Sequence, residues 1–207
     1  MPTSTLYYIA DPMCSWCWGF QPTLESIIDI LPEEIDVRYV MGGLAKDSDE
    51  PMPADTLEYV KQQWQLVTDR TGAQFNWDFW TACQPRRSTY PACRAAIAAG
   101  EQQGAGLEDM FHAIQRAYYM EARNPSDLET LISLAAELKL DVDRFSTDIV
   151  SPGINDMLYK DFELRRSFHA DKFPTVILDY NQETMWLAYG YEEADKVMDI
   201  LESVLLS

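Results

Sequence analysis

Cys14 and Cys17 are separated only by Ser15-Trp16, and two thiols at that spacing can exchange disulfides or share a metal. The attacking species in exchange is the thiolate, and a free cysteine ionises near a pKa of about 8.5. Something must therefore favour the anion at neutral pH. A helix start does so, because its first N–H groups are unpaired and carry roughly half a positive charge. If a helix begins at this pair, Cys14 sits at its positive end, open to a partner disulfide, with Cys17 one turn along on the same side. Cys14 then reads as the attacking thiol and Cys17 as the resolving thiol.

Phe173-Pro174-Thr175 is the second element, just ahead of the apolar run Val176-Ile177-Leu178. A proline there cannot complete a central ladder. With a cis bond, found in only about 5–6% of X–Pro pairs, Pro174 would wall Cys14 and leave the Phe173 backbone free to pair with an extended substrate. With a trans bond it would simply open a strand. Trp16 and Trp18 flank the sulfurs and read as substrate contacts.

The remaining cysteines, Cys83 and Cys93, have nine residues between them, whereas zinc knuckles use two to four. No metal is therefore expected, although a zinc or soft-metal binding module stays as a rival reading. Cys93 lies in the alanine-rich stretch Ala92–Ala99, which suggests packing. His112 and His169 lack ligand partners at useful spacing and read as structural. Phe75, Trp77, Phe79 and Trp80 precede Arg86-Arg87. They form either core or a groove in which the two arginines meet acidic ligands.

The elements that must hold these residues follow from periodicity. Leu6-Tyr7-Tyr8-Ile9 reads as a buried strand, ended by Asp11-Pro12-Met13. A helix runs from the cysteine pair to about Ile30, with Pro22 expected to kink it. A second strand covers 35–40. From Gly42-Gly43 to about residue 170 the pattern is helical, including the stripes of Leu57, Val60, Trp64 and Val67 and of Leu107, Met110, Phe111 and Ile114. Strands return at 174–178 and 184–189, joined by a turn at Asn181-Gln182, and an amphipathic helix ends the chain. The order β–α–β, helices, β–β–α makes an α/β protein with a four-stranded mixed sheet. This is the layout of a thioredoxin fold in 1–42 and 171–207, interrupted by a large all-helical insertion over 43–170.

Composition narrows the function. The formal net charge is −18, from 34 acidic and 16 basic residues, which repels phosphate backbones and argues against nucleic-acid binding. No stretch approaches the ~20 apolar residues that span a bilayer, so no membrane role is expected. Met1–Tyr8 does not read as a signal peptide, which points to the cytoplasm. Two structural disulfides would be unusual there.

Asp11-Pro12-Met13-Cys14-Ser15-Trp16-Cys17-Trp18-Gly19-Phe20 resembles the active-site start of cytoplasmic DsbA-like proteins of the FrnE and protein-disulfide-isomerase type. Their relatives are 2-hydroxychromene-2-carboxylate isomerase and kappa-class glutathione transferase. Ser88-Thr89-Tyr90-Pro91-Ala92-Cys93 is similar to the helix start that faces the cysteines in that family, and Phe173-Pro174-Thr175 to its cis-proline loop. The resemblance implies thiol–disulfide oxidoreductase or isomerase activity, with Cys14, Cys17 and Pro174 in the catalytic set. Ser15, Trp16, Trp18, Phe173, Thr175, Ser88 and Thr89 form the expected substrate surface. It implies no cofactor, a protein or small-molecule disulfide as substrate, and glutathione or a recycling reductase as redox partner. A glutathione-dependent isomerase or transferase is the alternative; retention of both sulfurs favours redox work. Two departures stand out. Tyr8 occupies the place where thioredoxin and DsbA carry a buried carboxylate, so Cys17 must lose its proton by another route. Trp16 replaces the histidine of strongly oxidising DsbA proteins, which implies a less oxidising pair.

Overall fold

Alternation along the first strand decides how the layers stack. In the computed structural model, which describes residues 4–104, 106–181 and 183–206, β1 (Ser4–Ala10) is followed by α1 (Ser15–Ile30) and β2 (Ile35–Met41). Leu6, Tyr8 and Ala10 of β1 enter the larger core with Phe20, Leu24 and Ile27 of α1. Ile9 points the other way, to Val40, Ala170 and Ile177, as a period of two requires. Each fully buried Leu, Ile or Phe contributes about 1.5–3 kcal/mol, so a one-residue slip of β1 would forfeit both faces at once.

Among the described residues seven helices follow: α2 (Ala54–Thr71), α3 (Phe79–Ala82), α4 (Tyr90–Gly100), α5 (Leu107–Met120), α6 (Leu128–Glu137), α7 (Val142–Asp148) and α8 (Pro152–Ser167). The chain closes with β3 (Thr175–Tyr180), β4 (Glu183–Tyr189) and α9 (Ala194–Leu205). The sheet order is β2-β1-β3-β4, with β1 parallel to β2 and the other pairs antiparallel. This is the mixed sheet of a thioredoxin-like fold. Gln182, half of the expected turn, and Met1–Thr3 lie outside the described residues.

α1 and α9 cover one face of the sheet, with Val197 and Leu201 in the larger core. Leu164 and Phe168, at and just past the end of α8, cover the small cluster on the other face. α8, the last helix before β3, thus also serves the sheet. α1 remains helical across Pro22, so the proline interrupts a bond there without ending the helix. Phe75, Phe79 and Trp80 pack around the fully buried Trp64 of α2. Phe79 is therefore core and Phe75 and Trp80 pack against it, which corrects the groove reading for these three, while Trp77, also against Trp64, stays exposed.

Candidate active site

β1 ends at Ala10 and passes into a turn closed by the Cys14 N–H donating to the Asp11 carbonyl at 3.0 Å. Cys14 is the N-cap of α1, in extended conformation at φ −87° and ψ 113°. Its sulfur accepts a hydrogen bond from the Cys17 N–H at 3.4 Å. One of the helix's otherwise unpaired donors is thus spent on sulfur. No acidic side chain stands in the first turn of α1 to compete for the positive end of the helix dipole. Both cysteines are free thiols.

The Phe173–Pro174 bond is cis. The Cys14 thiol faces the Phe173 carbonyl at 3.8 Å. The Phe173 ring is positioned from behind. A Cβ on Gly42 would come within 2.6 Å of it, so only glycine leaves room for the ring. Arg165 stands 5.5 Å from the ring centre and donates to the Gly42 carbonyl at 2.5 Å.

Cys14 is 6% exposed and Cys17 is fully buried. The expectation of an openly exposed Cys14 is therefore corrected, because Trp16, Tyr59 and Phe173 crowd the helix start. Its sulfur opens into a cavity of about 150 Å³, also lined by Ser15, Gln63 and Arg87. A second cavity of about 730 Å³ shares Trp16 and Phe173 with the first and is bounded by Leu66, Arg70, Lys172 and Tyr191. The two cavities thus adjoin at Trp16 and Phe173, beside Cys14.

Cys17, Tyr8 and Asp11 are all buried around Cys14. Burial pushes the Cys17 thiol well above its ordinary pKa, and its hydrogen bond with Cys14 and the charge there push it further. Tyr8 is buried beside Cys17, and burial first, then the nearby Cys17 charge, holds that phenol protonated far above its usual range. Asp11 is fully buried. Its carboxylate accepts from the Met13 N–H at 2.8 Å, the Leu44 N–H at 2.8 Å, the Thr89 hydroxyl at 2.7 Å and the Cys93 thiol at 3.5 Å. Burial pushes its pKa up while these donors pull it down. Asp11 ties the dithiol turn to the loop after β2 and to α4. Its only signal in the sequence is its place in the motif, three residues before Cys14.

The expected substrate residues divide. Ser15, Trp16 and Phe173 line the Cys14 cavity, and the Trp16 indole donates to Gln63 at 3.0 Å. Trp18 turns away, donating to the Gln74 carbonyl and stacking on Tyr119. Ser88 and Thr89 are buried and spend their hydroxyls on the backbone N–H groups of Ser48 and Ala45. Thr175 braces the cis-proline loop through the Lys172 carbonyl. These four line neither cavity, because loop amides and carbonyls need their polar groups. Cys83 donates to the Ala122 carbonyl. Among the described residues no group of three or more His, Cys, Asp or Glu side chains is placed to hold a metal. Among them too, no helix is long and apolar enough to cross a membrane.

A family model described as Thioredoxin matches residues 7–197. The crystal structure of a candidate protein disulfide isomerase from Nitrosomonas europaea superposes with a TM-score of 0.86 at 25% identity, covering 99% of this chain and 98% of that one. Cytosolic disulfide reductase DsbM from Pseudomonas aeruginosa is 27% identical with a TM-score of 0.77, covering 98% of both chains. It has also been solved with glutathione. The ClpXP adapter protein SpxH of Halalkalibacterium halodurans is 26% identical over 178 residues, which are 83% of this chain and 57% of the adapter. The chain thus spans little more than half the length of that curated relative.

Proposed function

The chain belongs to the thioredoxin family, in its DsbA-like group, and from that premise we propose that it is a thiol–disulfide oxidoreductase working through Cys14 and Cys17. One observation carries the reading: the Cys14 sulfur caps α1, receives the Cys17 N–H, and faces the carbonyl of a cis-proline loop. The Cys14 thiolate attacks a substrate disulfide, one substrate sulfur leaves as a thiolate, and a mixed disulfide forms. Cys17 then gives up its proton and attacks the Cys14 sulfur, releasing the second substrate sulfur. Two electrons pass from the dithiol to the substrate, the two thiol protons end on the two leaving sulfurs, and the protein keeps a Cys14–Cys17 disulfide. Run backwards, the same steps oxidise a substrate dithiol.

In this reading the Phe173 backbone, beside cis-Pro174, aligns an extended substrate, and Ser15 and Trp16 contact it. The Tyr8 phenol, buried beside Cys17, is the first group on the resolving proton's route. A small thiol such as glutathione, the molecule bound to DsbM in a related structure, is the favoured redox partner. The disulfide-reductase name of that relative favours reduction over isomerisation. The adapter activity in the name SpxH belongs to a longer protein, and no residue of this site speaks for it.

Insulin reduction with a glutathione or dithiothreitol supply tests the proposal. Cys14→Ser is expected to lose all activity above the uncatalysed rate. Cys17→Ser is expected to lose turnover while still consuming one equivalent of disulfide. Full activity in Cys14→Ser would reject the mechanism.

A further inference from the structure

Arg87 lines the same small cavity as the Cys14 sulfur, and among the described residues it makes no hydrogen bond or ion pair. Among the described residues Arg166 likewise makes none but stands exposed to water, so what is unusual is the half-buried position of the unpaired Arg87. Its neighbour Arg86 is bonded to the Asp127 carboxylate and the Ser126 carbonyl. Arg94 takes the Asp47 carboxylate with two nitrogens, and Arg70 pairs with Glu193. Arg87 is half-buried, so its guanidinium is partly stripped of water without a protein partner in return. A planar fork of N–H donors matches a carboxylate in a two-pronged pair. One carboxylate shares the cavity lining, that of Asp171, and it accepts the Tyr189 hydroxyl. The cavity, at about 150 Å³, seats one arm of a small disulfide. The rest of the molecule runs over Trp16 and Phe173 into the larger cavity.

We propose that Arg87 is a specificity residue that seats a carboxylate next to the scissile S–S bond, so that the dithiol prefers small anionic disulfides. The inference rests on the oxidoreductase reading above and deepens it by naming a substrate class. Arg87 makes and breaks no covalent bond; the exchange is the one already written. Overall charge alone predicts the opposite order, because a molecule of net charge −18 repels anions and attracts cations.

The test is single-turnover oxidation of the reduced protein, freed of reductant, by three symmetrical disulfides. These are dithiodiglycolate (anionic), bis(2-hydroxyethyl) disulfide (neutral) and cystamine (cationic). Each rate is divided by that of the same disulfide with free 2-mercaptoethanol, which removes intrinsic differences in reactivity. The anionic probe is expected to exceed the neutral one by about tenfold, the size of one charge-assisted hydrogen-bonded pair, with the cationic probe slowest. Arg87→Ala is expected to bring the anionic-to-neutral ratio to that of the reference thiol. Arg87→Lys, which keeps the charge and loses the fork, is expected to fall between and serves if the alanine variant does not fold. Arg166→Ala removes the same charge from an arginine lining a different cavity and is expected to keep the wild-type ratio. A wild-type ratio equal to the reference, or a preference that survives Arg87→Ala, overturns the proposal. Failure to react even with the neutral probe overturns the oxidoreductase reading, and the Arg87 proposal falls with it.

Discussion

Asp11 is the residue whose removal the site should tolerate least outside the sulfurs. Alanine there strands buried donors on Met13, Leu44 and Thr89. Each buried group left unpaired costs about 1–3 kcal/mol, so Asp11→Ala is expected to lose about 3 kcal/mol or more in urea unfolding. Asp11→Asn keeps an oxygen acceptor and should lose clearly less. Equal losses would contradict the hydrogen-bond account. Trp16 supports a second prediction at this scale. It brings no charge to the residue before Cys17 and spends its indole N–H on Gln63, so the dithiol should be less oxidising than DsbA. Equilibration with glutathione should give a potential well below about −120 mV; a value near that figure would contradict it. Arg87 and Asp11 show why single residues are only partly legible in a sequence. Nothing local tells which of two adjacent arginines finds a carboxylate forty residues away, as Arg86 does in Asp127.

At the scale of elements, the helix start at Cys14, the cis-proline loop and the order of the strands are legible because each is written in a short stretch. A turn before the cysteine pair, a proline ahead of an apolar run and a period of two need no distant partner to be read. Ser88, Thr89 and Thr175 were less legible. Their hydroxyls stand in the right segments, yet backbone groups of the loop after β2 and of the cis-proline loop itself claim them. The cis-proline loop depends on a contact from far along the chain, the Phe173 ring over Gly42. Gly42→Ala must displace the far edge of that ring, in the residue whose carbonyl faces Cys14. Misplacement by about 1 Å can cost roughly a hundredfold in rate. The variant is expected to lose about 10- to 100-fold in single-turnover disulfide reduction, with near-native circular dichroism. An unchanged rate would mean that the loop position does not matter to the attack.

Over the whole molecule, buried thiols and phenols make the reduced protein sensitive to alkali. Cys17 and Cys93 are both held well above the ordinary thiol range, first by burial. Above about pH 9 the unfolded chain releases these protons while the folded chain keeps them. The unfolded state then binds fewer protons, and stability must fall as pH rises. Each such thiol contributes a slope of up to about 1.4 kcal/mol per pH unit between its unfolded and folded pKa. Tyr8 and Tyr119, raised by burial likewise, steepen the fall above about pH 10. Urea unfolding under reductant at pH 8, 9 and 10 should show this decline, and Cys93→Ala should make it shallower. Constant stability across that window would contradict the burial account.

The central claim is that Cys14 attacks and Cys17 resolves. Incubating Cys17→Ser with bis(2-hydroxyethyl) disulfide, digesting the protein and mapping the added mass tests it most directly. A stable mercaptoethanol adduct confined to Cys14 is the predicted result; adducts on Cys83 with none on Cys14 would contradict it.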